Sequence, residues 1–108
     1  MCIRDRASSD KCRDSEALLS AVVIGGGFSG VEIAGHINDL MKRLIPFYPA
    51  VERGKARVTV LQKGPRLLPE LRHEQLSDFT LRKLRGNGID VRLDTAAQEV
   101  TENSVRCV

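Results

Sequence analysis

Residues 21–35 read AVVIGGGFSGVEIAG. The run Ala21-Val22-Val23-Ile24 is short and apolar, as a strand buried in a parallel sheet would be. Gly25, Gly27 and Gly30 then fall in G-x-G-x-x-G spacing, and a helical pattern starts at once. A strand, a tight glycine turn and a helix start, in that order, are what a dinucleotide site requires. Gly25 permits the sharp exit from the strand. Gly27 has no Cβ, so a pyrophosphate can approach the backbone, and Gly30 lets the helix pack close to the sheet. The unpaired amides and positive end of the helix then face the phosphates. The spacing makes Gly25, Gly27 and Gly30 the candidate cofactor-binding residues here.

The helix is expected from about Gly27 to Leu44. Ile33, Ala34, Ile37, Leu40, Met41 and Leu44 recur at three- and four-residue steps and make one apolar stripe. Lys42 and Arg43 stand near its C-terminus, where the helix dipole favours them. Glu32 lies off the stripe, about one turn in. Two readings stay open for it, dipole compensation and ligand contact. Residues 45–55 hold Pro46, Pro49 and Gly54, which reads as a loop long enough to carry an insertion.

Arg57–Leu61 is the second strand expected, reached by a right-handed crossover. In NAD-binding units an acidic residue near its end bonds the adenosine ribose. Here that position is Gln62, followed by Lys63 and then Arg66. Glutamine still accepts a hydrogen bond but has no charge to repel a 2′-phosphate, and the two bases would attract one. The preference for NAD over NADP is thereby weakened and not reversed. Residues 64–69, GPRLLP, read as a rigid connection. Glu74–Arg85 reads as a helix with Leu76, Phe79 and Leu84 inward, stopped by Gly86-Asn87-Gly88. Ile89–Leu93 is a third strand. Gln98–Thr101 and Val105–Val108 alternate like a hairpin around residues 102–104. His36 and His73 read as solvated surface groups. The chain stops inside the last strand, so the expectation is a truncated domain.

Upstream, Ala7–Ser20 is polar and reads as a lead-in segment with a short helix. Met1–Arg6, MCIRDR, resembles a translated sequencing-adapter end, and these residues are expected to take no part in the fold. The expected organisation is therefore a 1–6 artefact, a 7–20 lead-in and a 21–108 domain. The expected fold class is α/β: a Rossmann-like three-layer domain with a parallel sheet and a C-terminal β-hairpin or meander.

The bulk numbers narrow the function. The chain has 108 residues, 42% hydrophobic and 29% charged, enough for one globular domain. Aromatics are 4% and tryptophan is absent, which argues against base-stacking platforms. The net charge of +3 is spread without a basic stripe, so nucleic acid is not an expected partner. Cys2, Cys12 and Cys107 form no C-x-x-C pair and no metal spacing with either histidine, so no metal site is expected. No apolar run has membrane-spanning length.

GGGFSGVEIAG (25–35), VTVLQKGPRLLPEL (58–71) and LRKLRGNGIDVRL (81–93) together resemble the type II NADH dehydrogenases, of the two-dinucleotide-binding flavoprotein superfamily. The resemblance covers Ala7 to the end. It is most specific where Gly-Val-Glu follows the loop and Pro-Arg-Leu-Leu-Pro follows the second strand. It implies that this is the NAD(P)H-binding unit, with a separate unit binding FAD. It also implies hydride transfer from NADH to FAD, then electrons to a quinone, in an enzyme peripheral to the inner, cytoplasmic face of the cell membrane through a C-terminal region. By the same resemblance Gly25, Gly26, Gly27, Phe28, Ser29 and Gly30 hold the pyrophosphate, Glu32 faces the nicotinamide and Gln62 lies near the adenosine ribose. NADPH stays possible. No residue in this stretch is expected to act as catalytic acid, base or nucleophile, because the flavin and nicotinamide carry the chemistry. Two other readings stay open: a ferredoxin or disulfide reductase of the same superfamily, and a non-enzymatic nucleotide-binding module.

Overall fold

The computed structural model describes residues 2–4, 20–47, 57–102 and 104–108. Three parallel strands form the central sheet. They are β2 (Ser20–Ile24), β3 (Arg57–Leu61) and β4 (Asp90–Arg92), side by side in that order. The register is unbroken from Ser20↔Arg57 to Ile24↔Leu61, and from Thr59↔Asp90 to Leu61↔Arg92. β3 lies between two neighbours, and Val58 through Leu61 are all buried. That explains why this strand reads as a nearly continuous apolar run.

Side-chain alternation divides the sheet into two faces. Ala21, Val23, Val58 and Val60 pack with Ala34 and Met41 of helix α1 (Phe28–Leu44) and Leu84 of helix α2 (Glu74–Gly86). Val22 and Leu61 point the other way, onto Ala97, Val105 and Cys107. Those residues belong to an antiparallel sheet, β5 (Ala97–Val100) with β6 (Ser104–Cys107). The layers are therefore helices, parallel sheet and antiparallel sheet, the α/β Rossmann-like arrangement with a C-terminal hairpin that the sequence predicts. The hairpin turn is held by Thr101 and Ser104, whose hydroxyl oxygens lie 2.8 Å apart.

Three expectations are corrected. Cys2–Arg4, read as taking no part in the fold, form strand β1 and pair antiparallel with β6, Cys2 opposite Arg106 and Arg4 opposite Ser104. A backbone pairing between such distant residues leaves no side-chain motif to read. In α1 the stripe facing the sheet is Ala34, Asn38 and Met41, flanked by Val31, Ile37 and Leu44. Ile33 and Leu40 are half exposed. They share a helix face with each other, one step round from the buried face of Ala34 and Met41. In α2, Leu76 and Phe79 are exposed, while Ser77 and Leu84 are buried and Leu81 packs on the core. The lead-in helix and most of the proline-containing loop lie outside the described residues.

Local chemistry sets the helix ends. His73 is the N-cap of α2, its Nδ1 accepting from the Leu76 amide at 3.2 Å, so it does more than the solvated group expected. At the other end Gly88 is left-handed, φ 88°. Its amide bonds the Arg85 carbonyl and the Ile89 amide bonds the Leu84 carbonyl, both at 3.1 Å. That paired closure is a Schellman motif, which ends the helix at a glycine. Asn38 of α1 donates to the Asn87 carbonyl at 3.1 Å and ties the two helices together.

Gly35, inside α1, has open space where a Cβ would stand. Gly35→Ala is expected to stabilise the chain by about 0.5–1 kcal/mol, because alanine loses less backbone entropy in a helix. A rise in Tm for the variant checks this.

Candidate functional site

β2, β3 and β4 all end on the same edge, and loops from each converge there. In open α/β sheets the crevice beyond the carboxyl ends of the strands is where ligands bind. Gly25 leaves β2 at φ 109°, a conformation only glycine adopts freely, and its amide bonds the Leu61 carbonyl at 2.8 Å. The chain then turns into α1, whose N-cap is Gly27. That residue offers no side chain to the first amides of the helix, and no acidic residue stands in the first turn. Gly30 sits against the turn itself: a Cβ there would collide with the Gly25 carbonyl oxygen and lie 3.5 Å from Val23 Cγ1. The close packing at Gly30, expected against the sheet, is first against the turn and then against Val23 of β2.

Gly26 is confined by side chains. A Cβ on it would lie 2.6 Å from Leu67 Cδ2 and 3.1 Å from Gln62 Cβ. Its amide donates to Gln62 Oε1 at 2.8 Å, and its carbonyl accepts from the Leu68 amide at 2.8 Å. Gln62 in turn donates from Nε2 to the Arg66 carbonyl at 3.1 Å. This side chain, read as a ribose contact, is 9% exposed and pins the glycine turn to the loop after β3. The structure thus brings Gln62 to the glycine turn but directs both its polar groups at protein partners.

Beside Gln62 opens a cleft of about 260 Å³, walled by Ile24, Gly25, Leu61, Gln62 and Lys63 on one side and Thr95, Ala96 and Ala97 on the other. The second wall escaped the sequence reading, since Thr95-Ala96-Ala97 carries no motif. It is held in place by the Thr95 amide on the Gln62 carbonyl, 2.9 Å, and by paired amide–carbonyl bonds between Ala96 and Val108. Of the two bases read as attractors of a 2′-phosphate, Lys63 lines this cleft. Arg66 faces Glu74 instead, Nη1 to Oε1 at 3.6 Å.

Glu32 is exposed on α1 and pairs with His36 one turn on, 3.9 Å apart. It is not among the residues that wall the cleft. Phe28 and Ser29 open the helix and are exposed. The Phe28 amide is not free. It donates to Oε1 of Glu70 at 2.8 Å, and a Cβ on Gly27 would lie 3.2 Å from the same oxygen. Glu70 was not among the expected site residues. The one available signal was a carboxylate in the connection directly after PRLLP.

The pyridine nucleotide-disulphide oxidoreductase family model matches residues 2–108. The chain belongs to this family. The mitochondrial external alternative NAD(P)H-ubiquinone oxidoreductase B2 of Arabidopsis thaliana is 31% identical over 104 residues, 94% of this chain and 18% of its own length. The type II NADH:quinone oxidoreductase of Staphylococcus saprophyticus is 30% identical over 89 residues, covering 82% of this chain and 21% of its own. Among solved structures, NDH2 from Plasmodium falciparum in complex with NADH superposes with a TM-score of 0.74 at 20% identity, over 94% of this chain and 20% of that one. The last likeness is one of fold. This family member spans about a fifth of the length of the curated relatives it matches. Among its described residues no helix is long and apolar enough to cross a membrane.

Proposed function

We propose that this chain binds NAD(P)H at the glycine turn and serves as the nicotinamide-nucleotide unit of a type II NADH:quinone oxidoreductase. One observation carries the reading. The start of α1 is drawn so tightly against the Gly25 carbonyl that only glycine fits at position 30, at the carboxyl edge of a parallel sheet. Such a helix end presents amides and a positive dipole to an anion. The names of the relatives support the coenzyme and the acceptor.

In this reading the amides of Phe28 and Ser29, with Gly27 leaving room, hold the diphosphate. The adenosine enters the cleft between Lys63 and Ala96. Gln62 acts by holding the Gly26 amide in place and does not grip the ribose. Glu32 takes the nicotinamide side, as the resemblance implies. When bound, NADH supplies a hydride to the flavin, whose electrons then pass to the quinone. FAD would be held by parts of the enzyme beyond these residues, and so would the quinone and the peripheral contact with the membrane. This chain contributes binding and orientation.

Titration of the chain with NADH and NADPH, followed by nicotinamide fluorescence, tests the coenzyme assignment. NADH is expected to bind more tightly, with a ratio below about tenfold because no carboxylate stands at position 62 to repel a 2′-phosphate. Preference for NADPH would overturn the choice of coenzyme. Failure of a folded chain to bind either would overturn the site.

A further inference from the structure

Glu70 places a carboxylate where the proposed site needs a diphosphate. Its Oε1 accepts from the Phe28 amide at 2.8 Å and lies against Gly27, the residue whose missing side chain leaves the room. The two groups are 42 positions apart in the chain, so no local capping rule puts them together. A carboxylate and a phosphate oxygen seek the same partner here, an amide at the positive end of a helix.

The segment bearing Glu70 is built like a strap. Pro69–Leu71 is a single 3-10 turn, and the residues on either side, Leu68 and Arg72, both adopt φ 51°. Left-handed backbone is costly for residues with a Cβ. Leu68 is fixed, being buried and bonded through its amide to the Gly26 carbonyl. Arg72 is exposed, and its amide bond to the Pro69 carbonyl is long at 3.4 Å. Between them Leu71 packs on the core and its amide bonds the Leu68 carbonyl at 3.1 Å, so the backbone on both sides of Glu70 is anchored while its own side chain is exposed. The exposed carboxylate can leave the Phe28 amide by side-chain rotation, with the turn that carries it staying in place.

We propose that Glu70 is a built-in competitor for the coenzyme's diphosphate: its carboxylate occupies the Phe28 amide in the free protein and must leave before the dinucleotide seats. The inference rests on the coenzyme reading above. It makes the site selective by charge as well as by shape. A ligand with one weak negative charge exchanges one anion for another and gains little. A diphosphate brings two charges to the same amides and displaces the carboxylate.

The test is NADH titration of the wild-type chain, Glu70→Gln and Glu70→Ala, read by nicotinamide fluorescence and by the NMR shift of the Phe28 amide. Both variants are expected to bind roughly two- to fivefold more tightly, the change one exposed charge at a helix end carries. Inorganic pyrophosphate should gain by a similar factor. Thermal melts run alongside separate this from simple capping, in which the variants lose stability and gain no affinity. If NADH moves the Phe28 amide in all three proteins with unchanged or weaker affinity in the variants, the competitor role is wrong and the coenzyme site stands. If NADH leaves that amide unmoved in all three, both fall.

Discussion

Gly30→Ala is expected to abolish dinucleotide binding and to destabilise the chain by about 2–4 kcal/mol, at or above the usual range for overpacking. The added Cβ would collide with the Gly25 carbonyl oxygen and sit 2.9 Å from its carbon. Both belong to backbone, so no rotamer change relieves the overlap. Gly25 cannot retreat easily, because its amide bonds the Leu61 carbonyl and its φ is already 109°. Nor can the helix move away without opening the contact of Ala34, which is fully buried. The helix end would have to back off from the turn, and the amides that cradle the diphosphate would move with it. Urea melts and NADH titration measure the two effects. Wild-type affinity in the variant would refute this geometry. Gly35→Ala, five residues along the same helix and expected to stabilise it, is the control for a general effect of alanine on α1.

Gln62→Ala should cost about 2–4 kcal/mol, because it orphans the Gly26 amide and the Arg66 carbonyl and leaves a void under the glycine turn. Both groups are held now, at 2.8 Å and 3.1 Å. Gly26 is buried, so water does not readily replace the lost partner. Gln62→Glu is the sharper variant. A carboxylate can still accept from the Gly26 amide, but it cannot donate to the Arg66 carbonyl, and its second oxygen would face that carbonyl oxygen. The glutamate variant is therefore expected to be less stable than wild type and to bind NADH more weakly, although an acidic residue at this point is the usual ribose partner. A gain in NADH affinity for Gln62→Glu would show that position 62 serves the ribose directly. Denaturation midpoints for the three proteins, set beside their dissociation constants, decide between the two roles.

The glycine spacing, the apolar strands and the helix terminators were legible because each is a local requirement. Gly25 had to be glycine to turn out of β2, and Gly88 had to be glycine to close α2. Arg57–Leu61 was legible to the residue, and the hairpin to within one residue at each end. Less was legible about which helix face would be covered. Periodicity groups Ile33 with Leu40 and Ala34 with Met41 equally well; only the position of β3 beneath the helix decides that the second pair is buried. The same holds for Ser77, buried although polar, beside Phe79, exposed although aromatic. Glu32 stands exposed one turn into α1, 3.9 Å from His36, and its nicotinamide role follows from the Gly-Val-Glu resemblance.

By itself, then, the amino-acid order determined a strand, a glycine turn and a helix whose first amides face an anion, because these follow from what each residue permits its own backbone to do. Only the tertiary structure decided that Gln62 reaches back to Gly26, that Thr95 and Ala96 wall the cleft, and that Glu70 lies across the Phe28 amide. Those contacts join residues 33 to 42 positions apart, or loops from different strands, and they form because three strands end on one edge. Where side chains meet across such an edge depends on twist, register and loop path, which no window of neighbouring residues encodes.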